Sequence, residues 1–342
     1  MKALTLRRVP PAEVDWEVLD RFPDRLIFQR RPWLAFLEEC HSAEPVIAEL
    51  CRNGQRCGWF TGLMTRHLGL RVLGAPRPGW ATPYLGFNLE NGISRREAVG
   101  ALPEFAFREL GCVHLEVCDR WFVPADVVGL GGRRSEMKTF VVDLRPELDE
   151  IRARMTSGTR QNLRKGQRSG IVVEDAEPKG FAEEYHGQLR DVFAKQGLVP
   201  SYSAARVQSL IRNLHPTGDL QLIRVRAPSG ESIATALVLG AGRSAYFWGG
   251  ASWRIHQHFR PNEALFWHAF ETWRSRGAQE FDFGGGGTYK LKYGATEIPI
   301  HQLRWSRWPG IEAARGLVKA SSTARQRAIG SMLHQGANPT RG

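Results

Sequence analysis

Cysteine is scarce in this chain of 342 residues: there are five, an odd number, and all lie before residue 140 (Cys40, Cys51, Cys57, Cys112 and Cys118). No two stand in a Cys-x-x-Cys spacing, so neither a zinc site nor a closed disulfide framework is supported; buried free thiols in a reducing compartment are expected. Long hydrophobic runs are missing too. No stretch of about 18 apolar residues occurs, and Met1–Pro11 carries basic residues without the apolar centre of a secretory leader, so a cytoplasmic location is expected. Two catalytic signatures are also absent. Without Gly-x-Ser-x-Gly a serine hydrolase of the α/β type is disfavoured, and without Gly-Lys-[Ser/Thr] after a glycine run there is no Walker A loop.

What is present describes an ordinary globular chain with an unusual charge. Hydrophobic residues make up 42% and charged residues 24%, which permits a packed core and excludes wholesale disorder. The length is about twice the usual domain size of roughly 100–150 residues, so two domains are expected. The net charge is +12, enough to point to a polyanionic partner or a phosphate-bearing substrate. It is unevenly placed: residues 1–140 hold 19 basic and 17 acidic side chains, and 141–342 hold 28 and 18. The second half therefore carries nearly all of the excess.

Hydrophobic periodicity and turn residues give one order of elements twice. In the first half, Val46–Arg52, Cys57–Thr65 and Leu70–Gly74 read as strands, with Asn53-Gly54 as a hairpin turn. A Pro/Gly-rich loop (Ala75–Gly86), a helix over Arg96–Leu110 stopped by Gly111, and a strand over Cys112–Cys118 follow. In the second half the strands are Leu220–Arg226, Ser232–Leu239 and Ala245–Gly249, with a turn at Ser229-Gly230. Pro261 then opens a helix to about Arg276, Gly277 stops it, and Gln279–Phe283 is a strand. Helical segments precede each copy: Trp33–Cys40 in the first, and Leu148–Met155, Gly158–Ser169, Phe181–Lys195 and Ala204–Asn213 in the second. A meander followed by one helix and one strand is not the Rossmann alternation; it suits a mostly antiparallel sheet with a single crossover.

Three stretches could carry chemistry. Phe281–Gly294 runs from a strand end through four glycines into an aromatic/lysine alternation, read here as a strand with Tyr289, Leu291 and Tyr293 on one face and Lys290 and Lys292 on the other. Glycine amides can approach a ligand closely, and a neighbouring lysine can neutralise a phosphate or an oxyanion; an ordinary loop before a two-faced strand fits the same letters. Thr159–Arg168 is a short basic helix with Arg160 and Arg164 four apart on one face, suited to phosphate or carboxylate, or simply solvated. Between the third strand and the helix of the second copy, Arg260 and Asn262 stand at a helix N-terminus, which attracts anions. His256 and His258, with only Glu263 nearby and no cysteine, do not make a zinc ligand set. Tyr246, Phe247 and Trp248 read as strand packing, with one of them a candidate pocket floor.

Two of these segments together resemble a known family. Arg160-x-Asn162-Leu163-Arg164-Lys165 followed by Gly170-Ile171, and Asp282-Phe283-Gly284 followed by Tyr289-Lys290-x-x-Tyr293-Gly294, resemble the Fem-like branch of the GNAT acyltransferase superfamily. The resemblance covers roughly 138–305, and the first half by strand order only. It implies an α/β (α+β) fold of tandem GNAT-like domains, each a mixed, mostly antiparallel sheet flanked by helices: 1–140, a catalytic domain at 141–305, and a basic helix or tail at 306–342. It also implies acyl transfer from an activated donor to an amine acceptor, with no metal and no tightly bound cofactor. The donor is aminoacyl-tRNA, as in peptidoglycan-bridge enzymes, or acyl-CoA, as in acetyltransferase relatives.

Lys290 occupies the place of the family's motif lysine and is the expected stabiliser of the tetrahedral intermediate or donor phosphate. Asp282 is a proton-handling candidate. Arg160, Asn162, Arg164, Lys165, Trp248, Arg260, Asn262, Tyr289 and Lys292 are the expected substrate-binding residues. One departure bears on the donor: the Arg254–Asn262 loop has no glycine, whereas a CoA-binding GNAT loop carries Arg/Gln-x-x-Gly-x-Gly/Ala. That raises aminoacyl-tRNA, slightly ahead of acyl-CoA, and also a non-standard mode of acyl-CoA binding. The alternatives are an acyl-CoA-dependent N-acetyltransferase of a small molecule and a non-catalytic polyanion-binding protein. The tail holds six basic residues and one acid; an amphipathic helix over Ile311–Leu333 touching tRNA or a membrane surface is one reading of it.

Overall fold

The computed structural model describes residues 4–74, 82–194 and 197–311. Two compact units are formed, one by residues up to Thr139 together with those from Ile298 to 311, the other by Phe140–Glu297. The first contains β1 (Thr5–Val9), α1 (Trp16–Asp20), α2 (Arg31–His41), β2 (Glu44–Arg52), β3 (Gln55–His67), β4 (Leu70–Gly74), β5 (Gly86–Leu89), α3 (Arg95–Gly100), α4 (Leu102–Glu104), β6 (His114–Cys118) and α5 (Pro124–Val127). Strands β1 to β4 pair antiparallel in sequence order, β6 lies parallel to β4, and β5 pairs with β3. Its core gathers Leu73, Phe87, Leu102, Phe105, Leu115 and Leu303.

In the second unit, residues Phe140–Asp143 of β7 (Arg133–Asp143) lead into α6 (Leu148–Arg154), α7 (Ser157–Arg168), β8 (Val172–Asp175), α8 (Phe181–Ala194) and α9 (Ala204–Leu214). There follow β9 (Leu220–Arg226), β10 (Ser232–Ala241), β11 (Ser244–Ser252), α10 (Pro261–Ser275) and β12 (Glu280–Asp282), and then β13 (Thr296–Ser306), which belongs to the first unit from Ile298 on. Strands β8 to β11 are antiparallel neighbours, β12 is parallel to β11, and β7 closes on β12 antiparallel. Helix α10 buries Leu265, Phe266, Ala269 and Phe270 against β9–β11 and Phe281. Short polar residues start the helices: Thr156 Oγ1 accepts from Thr159 N and Ser203 Oγ from Arg206 N. The repeated order read from the sequence is thus present in the second unit, and in the first with one strand more, β5, which follows the expected loop and pairs with β3.

Several expectations change. The single helix over Arg96–Leu110 is broken into α3, α4 and one π-helical turn over Phe105–Glu109, because Pro103 cannot donate to the helix ladder. The expected limit of the second domain at 305 is not where the chain divides: Gln302–Ser306 of β13 pair with His114–Cys118, so this segment packs with the first unit. Thr288–Tyr293 is a 3₁₀ helix and not a strand. At three residues per turn Lys290 and Tyr293 share the buried side, while Tyr289 and Leu291 are exposed, so the expected two-faced alternation is overturned. All five cysteines are free; Cys57, Cys112 and Cys118 are buried, Cys40 and Cys51 half-buried. Residues 75–81 of the Pro/Gly loop, Lys195 and the expected tail helix beyond 311 lie outside the described residues. No described helix is long and apolar enough to cross a membrane.

Candidate active site

Strands β11 and β12 run side by side only over Ser244–Tyr246 and Glu280–Asp282. Beyond Tyr246, β11 stays paired with β10, and its register shifts so that Phe247 faces Val238 and Gly249 faces Leu237, leaving Trp248 as the extra residue of a bulge. Beyond Asp282, Phe283 N still donates to Phe140 O on the β7 side at 2.8 Å. The two strands therefore part where the bulge and the glycine run face one another across the end of the pairing.

The glycine run is held from within. Asp282 accepts from Gly284 N at 2.7 Å, turning the chain at Gly284, which has φ +69. A side chain there is excluded twice, because that backbone region disfavours L residues and a Cβ would lie 2.6 Å from the Tyr246 hydroxyl. The 3₁₀ helix then folds Lys290 back, so that Nζ donates to Phe283 O at 2.8 Å, Gly284 O at 3.0 Å and Gly285 O. These account for all three ammonium protons. Lys290 is 4% exposed; burial pulls its pKa below the usual lysine range, and Asp282 works against that shift. In a trans peptide the N–H points opposite to the preceding carbonyl, so the amides of Gly285 and Gly286 are turned away from the ammonium on exposed backbone.

Six of the other expected residues fall into three groups. Asn162 and Lys292 meet at Glu263: its Oε1 accepts from Lys292 Nζ at 2.9 Å and Asn162 Nδ2 at 3.4 Å. Glu263 is buried within the first turn of α10. Arg260 precedes that helix in the left-handed region (φ +57), exposed, and its side chain makes no cap; Asn262 is exposed in the first turn. Arg164 and Lys165 form an exposed basic face of α7, whose Gly166 packs closely on the Phe259 and Arg260 carbonyls.

Arg160 stands apart from these, donating to Ala153 O at 3.0 Å and to Met155 O, so it caps α6. Trp248 is buried with its ring 4.9 Å from that of Tyr202, whose hydroxyl lies 2.7 Å from Tyr185 Oη. Tyr289 is half exposed beside the glycine run. His256 contacts Glu231 at 3.2 Å, and among the described residues no group of three His, Cys, Asp or Glu could hold a metal.

Sequence reasoning missed the role of Glu263, the partner that joins Asn162 to Lys292. Its signal was an acid two residues after the helix-opening proline, where the helix dipole favours negative charge. Tyr246 was read only as strand packing or a pocket floor, not as the neighbour that bars a side chain at Gly284, and the Tyr185–Tyr202 pair carried no signal of its own.

Residues 153–293 match the family model of the acetyltransferase (GNAT) domain. The fold is similar to that of a protein described as FemX, at 15% identity and TM-score 0.71 over 86% of this chain and 96% of that one. It is also similar to a tandem GNAT protein from the clavulanic acid biosynthesis pathway (12% identity, TM-score 0.54, 90% of this chain and 99% of that one). A third similar fold is the C-terminal domain of a putative lysylphosphatidylglycerol synthetase from Agrobacterium fabrum (15%, TM-score 0.51, 76% and 84%). No curated protein matches the sequence.

Proposed function

We propose that this chain, whose residues 153–293 match the GNAT domain model and whose fold is similar to that of FemX and of a tandem GNAT protein, is an acyltransferase that moves an aminoacyl group from aminoacyl-tRNA to an amine acceptor. The observation that carries the choice of donor is Glu263. A diphosphate seated at the start of α10 needs free amides and a turn that lets the backbone come close. Here the first turn already holds a buried carboxylate bound to Lys292, and the turn before it has Arg260 where a glycine would relieve the left-handed conformation. The phosphate of acyl-CoA is poorly served by that arrangement. The phosphates of an RNA acceptor arm have instead the exposed face of Arg164 and Lys165, with Arg260 beside it.

In the reaction, the acceptor amine attacks the ester carbonyl, a C–N bond forms, and the C–O bond to the ribose breaks. The amine proton ends on the leaving ribose oxygen. The amides of Gly285 and Gly286 are the donors suited to the oxyanion. Lys290 acts through the loop as a positioning residue: its ammonium fixes the carbonyls of Phe283, Gly284 and Gly285 on one side and thereby aims the amides to the other. Asp282 sets the turn from which that loop starts. Trp248, at the bulge of β11, and Tyr289, beside the glycine run, are the aromatic side chains this reading offers to the acyl group.

The deciding experiment supplies a panel of amines with either a mixture of charged tRNAs or acyl-CoA and follows product mass and thiol release. Product that depends on charged tRNA and is abolished by ribonuclease is the expected result. Thiol release from acyl-CoA without RNA replaces this donor with CoA, and salt-sensitive RNA binding with no transfer on either donor leaves a polyanion-binding protein.

A further inference from the structure

We propose that one rim of the first unit's sheet, built from the β3–β4 hairpin tip and the end of β13, is a docking surface for an anionic phospholipid bilayer. The tip places Leu68 at φ +49 with 94% of its surface exposed, followed by Gly69 at φ +80. Asn, Asp or Gly would relieve both costs at that position, so a bare leucine there is unfavourable for folding twice over. Directly behind it, Arg66 and Arg71 are cross-strand partners in the β3–β4 register. Like charges set opposite one another are a third local cost.

The rim continues across the sheet. Val113 N donates to Arg71 O at 2.9 Å and Arg307 N donates to Val113 O at 2.9 Å, which puts Arg71 and Arg307 in one row over β4, β6 and the end of β13. The next residues outward are Leu70, 45% exposed, and Trp308, 51% exposed, with the Arg307 guanidinium 5.7 Å from the Trp308 ring. Leu68, Leu70 and Trp308 thus form an apolar edge backed by Arg66, Arg71 and Arg307.

Glu44, at the start of β2, is tied to Arg8, and Arg71 also donates to Leu110 O at 3.0 Å.

Bilayer chemistry fits each part. Leucines at a protruding tip enter the boundary between headgroups and acyl chains, tryptophan favours that same depth, and arginines bind lipid phosphates. A specific protein partner would instead need a broad face of about 800 Å² per side, which three separated apolar side chains on a rim do not provide. The proposal rests on the first unit alone and is independent of the acyl donor.

The test is co-sedimentation of the full-length protein with vesicles of phosphatidylcholine, alone or mixed with phosphatidylglycerol. Binding to the mixed vesicles, weakened by salt, and little binding to phosphatidylcholine alone are expected. Leu68→Asn combined with Trp308→Ala should lower partitioning about tenfold or more, while Leu68→Asn alone keeps or raises the melting temperature because asparagine accepts the left-handed conformation. Absence of binding to the mixed vesicles overturns the proposal. So does binding undiminished in the double variant, which would assign it to the tail's charge. Self-association of the wild-type chain that the double variant abolishes, with no vesicle binding, assigns the rim to a second copy and likewise overturns it.

Discussion

The ammonium of Lys292 donates to the carboxylate of Glu263 at 2.9 Å, although the Glu263 side chain is only 7% exposed. Through this contact the start of α10 is bolted to the 3₁₀ helix that carries Lys290. Asn162 reaches the same oxygen from α7, so one carboxylate joins three elements.

Glu263→Ala should therefore cost stability, about 1–3 kcal/mol from the loss of a buried, hydrogen-bonded carboxylate. The partial exposure of Lys292 places the value toward the lower end, since water can take over its charge. Chemical denaturation of the wild type and variant measures this; an unchanged midpoint would remove Glu263 from the account.

Lys290→Ala should lower turnover by about tenfold or more while the fold persists, because the loop amides lose their aim. A positioning role is separated from proton transfer by the pH–rate profile. Reduced kcat at every pH with both limbs in place is expected, whereas loss of one limb would make Lys290 an acid or base.

Two neighbouring basic sites on α7 should respond in opposite ways. Arg160→Ala removes a charged donor from the end of α6 and should cost about 1–2 kcal/mol of stability with little change in donor KM. Arg164→Ala with Lys165→Ala should leave stability within about 0.5 kcal/mol. It should raise the donor KM and reduce the salt slope of donor binding by about two. Melting curves and donor titrations at several salt concentrations check both.

Acid stability should depend in part on Asp175. A hydrogen bond from His268, followed by one from Gln221, holds its carboxyl below the usual aspartate range. A depressed folded-state pKa adds stability that is complete above the unfolded value of about 3.9 and is lost as the pH falls through the lower folded value. Asp175→Asn should therefore lower the urea midpoint at neutral pH and flatten its decline below about pH 4. Parallel wild-type and variant curves through that range would show that Asp175 is not linked to folding.

Much of the fold was legible because its signals are local. Pro261 and Gly277 bracket α10, Asn53-Gly54 turns β2 into β3, and alternating apolar residues mark β9 and β10. The strand that completes the first unit was not legible in that way. Thr296–Ser306 holds Pro299 and mixed polarity, and its partner is His114–Cys118, nearly two hundred residues earlier. No short window contains that information.

The candidate site divides along the same line. The sequence by itself determined the duplicated order of strands and helices, the glycine run, the presence of Lys290 and Asp282 beside it, and the basic helix over Thr159–Arg168, though not that Arg160 would leave the face it was expected to share with Arg164. Each of these depends on neighbouring residues or on helical spacing. Only the tertiary structure decided what the charges do. Tyr289–Tyr293 satisfies a period of two as well as a period of three, and the choice falls to the 3₁₀ helix because Lys290 finds three carbonyl oxygens in the loop at Phe283–Gly285. Likewise Arg160 turned to α6, and Asn162 and Lys292 to Glu263. A charged side chain is committed by whichever acceptors the folded chain brings within hydrogen-bonding distance, and that distance is set by contacts remote in sequence.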